Sequence, residues 1–133
     1  MNETAREWID KAKGDYGVAE RELGAGERAN YDAVCYHAQQ CVEKLMKAVL
    51  VHHGVVPPKV HDLLHLAKLL REACPWDWSR EDLRWLTRAG MAFRYPGGSA
   101  EREHAEKAFR MCTKLRPGLI QLVGDDGDNP ARQ

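Results

Sequence analysis

The run Tyr31–Leu50 constrains this chain more than any other segment, because its apolar residues specify both a helix and a buried face. Val34, Ala38, Cys41, Leu45 and Val49 recur at steps of three and four, the spacing at which side chains share one side of an α-helix. Gln40, Glu43 and Lys47 fall together on another face. Asn30 precedes the run, Gly54 follows it, and Pro57-Pro58 bars any continuation, so the helix is expected to end at about His53.

The rest of the chain also reads as helices. Thr4-x-x-Glu7 has the form of a capping box and opens a first helix, Ala5 to Leu23, with Trp8, Ala12, Asp15/Tyr16, Ala19 and Leu23 on its inner face. Gly24-Ala25-Gly26 ends it. A third helix is expected over His61 to Ala73, with Leu63, Leu66, Ala67 and Leu70 facing inward. Ser79-x-x-Asp82 opens a fourth, which is expected to reach Tyr95, where Pro96 disfavours helical geometry. A fifth starts at Ser99 with the stripe Ala105, Ala108, Cys112 and Leu115; Pro117-Gly118 is expected to kink or end it, with Leu119 to Val123 as one further turn. No segment alternates at period two for long enough to be a strand. The expected fold is all-α, a five-helix antiparallel up-and-down bundle over residues 1–123, with a disordered polar tail at 124–133.

The length, 133 residues, suits one domain, and a chain of this size buries about two-thirds of its unfolded surface. Lysine plus arginine and aspartate plus glutamate each number 20, so the formal net charge is zero and a basic protein that coats nucleic acid is not indicated. A local basic face is compatible with that balance. The four cysteines, Cys35, Cys41, Cys74 and Cys112, form no CxxC pair, and buried reduced thiols are expected. The polar amino terminus and the absence of a long apolar run point to a cytoplasmic protein with no membrane partner.

The run YDAVCYHAQQCVEKLMKAVL (Tyr31–Leu50), followed by HDL (His61–Leu63) and RYPG (Arg94–Gly97), resembles the signature of the HEPN domain family, in the family order. The resemblance implies an up-and-down helical bundle that commonly dimerises. Many HEPN proteins are ribonucleases that bring an Arg-x(4–6)-His motif together at a dimer cleft. The chemistry is that of an imidazole activating a ribose hydroxyl while a guanidinium holds the phosphate. None of His37, His52, His53, His61, His65 and His104 has an arginine at that spacing. Arg94 and His104 have nine residues between them, and Lys59 is correctly spaced from His65 but is not arginine. The nuclease motif is therefore absent.

Other family members are not nucleases, and some accompany a nucleotidyltransferase-type partner in a toxin–antitoxin-like setting or bind nucleotides. The resemblance thus implies a dimeric, non-catalytic binding module for a nucleotide, RNA or a partner protein, with no cofactor. The nucleotide-binding candidates are Lys44, Lys47, His61, Asp62, Arg94 and Tyr95. Lysines neutralise phosphate, arginine does so bidentately, and tyrosine stacks on a base. Two structural alternatives stand beside this. Arg94 can pair internally with Glu43, and His61 can cap the third helix. An altered Arg/His ribonuclease and a purely structural dimerisation domain are the rival functions.

Two further patterns carry alternatives. His37 with Cys41 and His61 with His65 have the i,i+4 spacing of helical metal ligands, yet such pairs arise by chance among six histidines and four cysteines, and no metal is expected. Arg80, Arg84 and Arg88 form a basic line, either a solvated face or a phosphate track. Trp76 and Trp78 read as a lid on the bundle end.

Overall fold

Helix formation by residues with apolar stripes forces those stripes together, and here one helix collects all the others. A computed structural model of the chain describes residues 2–124. Its helices are α1 (Glu3–Leu23), α2 (Tyr31–His52), α3 (Leu63–Ala73), α4 (Arg80–Ala92) and α5 (Arg102–Leu122), with a 3₁₀ turn at Gly26–Arg28. Among the described residues there is no strand. The tail expected at 124–133 lies, from residue 125 on, outside the described residues. No helix among the described residues is long and apolar enough to cross a membrane.

α2 packs against α1, α3, α4 and α5. The expected stripe of Val34, Ala38, Cys41, Leu45 and Val49 is fully buried, and Gln39, Gln40, Glu43 and Lys47 are buried as well. The polar face read from the sequence is therefore an interior face. A helix surrounded by four others has no side left for solvent.

The helix ends differ from expectation in ways that local chemistry explains. α1 is capped by Asn2, whose Oδ1 accepts from the Ala5 amide at 2.7 Å, so Thr4 lies inside the first turn and the Thr4-x-x-Glu7 box does not form the cap. Asparagine outranks threonine at this position. Asp62, not His61, caps α3 through the Leu64 amide at 2.9 Å. α4 ends at Ala92, short of Tyr95, and Gly97 has a positive φ of 107°, so the chain has already turned. α5 starts at Arg102 rather than Ser99, where His104 Nδ1 accepts from the Glu101 amide at 2.9 Å. It also runs through Pro117 to Leu122. Proline removes one helical hydrogen bond, but Leu119 and Val123 are fully buried beyond it and hold the last turn in place.

Two glycines position the site described below. Gly54, with φ 79°, closes α2 in a Schellman arrangement, the Val55 amide donating to the Leu50 carbonyl at 2.9 Å and the Gly54 amide to the Val51 carbonyl at 3.0 Å. That arrangement fixes where the Val55–Lys59 connection leaves the helix. Gly90 on α4 faces Gln39, and a Cβ added there would stand 2.6 Å from Gln39 Cβ. Only a residue without a side chain lets α4 come so near α2. Thr87 adds a tie, accepting from the Leu63 amide at 3.1 Å and donating to the Leu83 carbonyl at 2.8 Å.

Gly90→Ala is expected to destabilise the fold by roughly 1–3 kcal/mol through overpacking. Gly14→Ala, on an open helical surface with nothing within 4 Å, is expected to stabilise it by about 0.5–1 kcal/mol. Leu45→Ala, in the same core as Gln39, is expected to lose about 2–5 kcal/mol. Urea unfolding of the three variants gives both signs.

Candidate functional site

Positions 36, 40, 43 and 47 share one stripe of α2, because each is three or four residues from the next. Tyr36, Gln40, Glu43 and Lys47 therefore line a seam about 16 Å long at 1.5 Å per residue. At one end the Arg94 guanidinium sits over the Tyr36 ring at 5.1 Å and over the Tyr95 ring at 6.0 Å. At the other end Lys47 Nζ lies 5.6 Å from the centre of the Trp8 ring. Glu43 stands between them.

The Glu43 side chain is only 4 % exposed, and four donors converge on it. Lys47 Nζ reaches Oε2 at 3.0 Å, while His61 Nδ1, Gln39 Nε2 and Gln40 Nε2 reach Oε1 at 2.9, 3.1 and 3.3 Å. Gln39 Nε2 also donates to the His61 carbonyl at 2.8 Å, and Gln40 Nε2 to Gln39 Oε1 at 2.8 Å. A carboxylate only accepts, so His61 Nδ1 carries a proton and a neutral His61 keeps Nε2 as a base. That ring is 58 % exposed.

A second carboxylate anchors the adjacent stripe. Asp15 on α1 binds His37 Nδ1 at 2.8 Å and Lys44 Nζ at 2.6 Å. Asp32, in the first turn of α2, accepts from the Ala100 amide at 2.6 Å and so ties the connection before α5 to α2.

These contacts give the distinctive residues of the Tyr31–Leu50 run tertiary roles, and comparison with known proteins identifies the pattern. The family model of the HEPN domain matches residues 5–117. The chain belongs to the HEPN domain family. It is similar to the crystal structure of TT1696 from Thermus thermophilus, with a TM-score of 0.69 and 25% identity, covering 91% of this chain and 96% of that one. It is also similar in fold to ST0689, an archaeal HEPN homologue, with a TM-score of 0.66 and 18% identity over 90% of this chain and 97% of the other. No curated protein matches the chain.

In this HEPN bundle the six candidate residues do not converge on one point. Arg94 and Tyr95 form one exposed end of the seam, and His61 joins its middle beside the α3 cap Asp62. Lys47 is buried at the far end, and Lys44 belongs to the Asp15 cluster. Arg94 does not pair with Glu43, whose partners are Lys47 and His61. His104 faces Phe93, with ring centres 5.3 Å apart, and caps α5.

One of the two metal-like spacings dissolves in three dimensions. His61 precedes α3, so it shares no helical face with His65, while His37, with Nδ1 on Asp15, remains one turn from the buried Cys41 on α2. No three His, Cys, Asp or Glu side chains gather as a metal site among the described residues. The four thiols are free and buried. Burial, then the Asp32 charge, pushes Cys35 up to about 12. The Cys112 thiol is raised by its hydrogen bond with Cys41 and by burial, and that of Cys74 by burial. Trp76 and Trp78, with ring centres 6.5 Å apart, pack on the core as expected of a lid.

Asp15, Tyr36 and Gln39 went unremarked as site residues in the sequence. Asp15 left a signal, a carboxylate at a core-facing position of α1. Gln39 left a weaker one, a second amide beside Gln40 inside an apolar helix. Tyr36 left none.

Glu43→Leu alone strands the buried Lys47 ammonium and is expected to cost about 3–5 kcal/mol. Adding Lys47→Met to it is expected to recover most of that loss, and paired urea titrations check the recovery.

Proposed function

We propose that this HEPN protein is a non-catalytic, dimeric binding module that takes a nucleotide at the Arg94–Tyr95 end of the seam. The observation that carries the reading is the state of Arg94. Its side chain is exposed, and its guanidinium touches two tyrosine rings and no carboxylate among the described residues. A guanidinium placed beside aromatic rings and away from carboxylates is available for phosphate. Tyr95, 69 % exposed, offers a face for a base. His61 and Asp62 add polar groups, while the ion-paired Lys44 and Lys47 contribute positive potential rather than direct contacts.

Arg84, Arg88, Met91 and Tyr95 follow one another at steps of three and four along α4 and just beyond, and all are exposed. This surface supports the dimer that HEPN domains commonly form, or the docking of a nucleotidyltransferase-type partner in a toxin–antitoxin-like pair. One observation favours a second reading. His61, held by Glu43 through Nδ1 and with a side chain 58 % exposed, has the form of a general base, which suits a ribonuclease with an altered Arg/His set.

Sedimentation at micromolar concentration is expected to give a dimer, and a clean monomer removes the assembly from the reading. Calorimetry with ATP is expected to show a Kd of about 10–1000 µM that weakens with salt. Arg94→Ala is expected to weaken it by about tenfold, the loss of a charge-assisted contact, with melting unchanged. No heat at millimolar ATP leaves partner binding as the function. RNA cleavage lost in His61→Ala establishes the ribonuclease instead.

A further inference from the structure

Where α1 begins, α2 ends and the Val55–Lys59 connection crosses, a cavity of about 490 Å³ opens beside Trp8 and Lys47. The volume falls in the range of about 300–1000 Å³ typical of small-molecule sites. Its walls are Trp8, Val51, Val55 and Pro57, and its two cations are Lys47 and Lys59. The wider groove of about 600 Å³ along α5 is lined only by exposed and half-buried side chains. The cavity at Trp8 differs in having a buried charge in its lining.

Lys47 is that charge, with a side chain 7 % exposed. An ammonium has three N–H donors, and among the described residues Lys47 gives one hydrogen bond, to Glu43, and faces the Trp8 ring. Its remaining donor capacity finds no oxygen among the described residues, a costly state for a buried cation. Lys59 is exposed at the rim and pairs with no carboxylate among the described residues. The first turn of α1, at Asn2 and Thr4, adds the positive end of a helix. Glu43 offsets one of the two lysines, so the trio keeps one net positive charge. That charge matches a monoanion better than a di- or triphosphate.

We infer that this cavity binds a small monocarboxylate with a flat apolar body, the ring lying against Trp8 and the carboxylate meeting Lys47 and Lys59. The site is separate from the Arg94–Tyr95 end, on the other side of the Glu43 network, and does not depend on the nucleotide reading.

The test is an amide and indole NMR titration of the full chain with naphthalene-2-carboxylate, with naphthalene-2-carboxamide as its uncharged counterpart. Saturable shifts are expected at the Trp8 indole and at Val55, Val56 and Lys59. The carboxamide is expected to bind about tenfold more weakly, the loss of a charge-assisted contact. Lys59→Ala and Val56→Asp, the latter at a residue 89 % exposed, are expected to weaken binding without altering melting. Arg94→Ala is expected to leave it unchanged. No saturable shift at millimolar carboxylate, equal binding of the carboxamide, or shifts confined to Tyr95 and its neighbours each overturn the inference.

Discussion

Burying a carboxylate is among the more expensive things a small bundle can do, and this one does it at the centre of its central helix. Glu43 is tolerable there because Lys47, His61, Gln39 and Gln40 all donate to it. Those donors are not incidental neighbours. Lys47 is one turn on along α2, Gln39 spaces α2 from α4, and His61 brings the segment before α3 against α2. A single ionised group thus dictates where three parts of the chain must stand. Leucines at the same positions would bury as much surface without specifying those distances.

The fold was legible because its signal is redundant. Every helix carries an apolar repeat of period three to four, and the breaks at Gly24, Gly54, Pro75 and Pro96 are strong punctuation. Helix ends were less legible, since a cap is one hydrogen bond and several residues compete for it. Asn2 outcompeted Thr4 in this way. Pro117 was read as a kink or a stop with one more turn after it, and the helix is continuous there because burial of Leu119 and Val123 outweighs a missing amide.

The site was legible as a set of residues and not as an arrangement. The HEPN-like runs named Glu43, Lys47, His61 and Arg94, but periodicity alone placed Gln40, Glu43 and Lys47 on a common polar face without saying what covers it. Nothing in one sequence says that a helix is covered on all sides. Only the packing of four helices on α2 reveals that Lys47 is a buried ion-pair partner while Arg94 stays available at the surface. Charged residues of the same motif set thus took opposite fates, set by what lies across from them.

The contact between Gly90 and Gln39 reaches beyond this molecule. The two positions share one volume, and one of them also carries an amide that the Glu43 network needs. A larger residue at 90 has to be matched by a smaller one at 39, and a smaller one at 39 leaves Glu43 and the His61 carbonyl short of a donor. Drift at either position is therefore coupled to drift at the other and to the identity of residue 43. In any chain that keeps this seam, the three sites are expected to change together although they lie on two different helices.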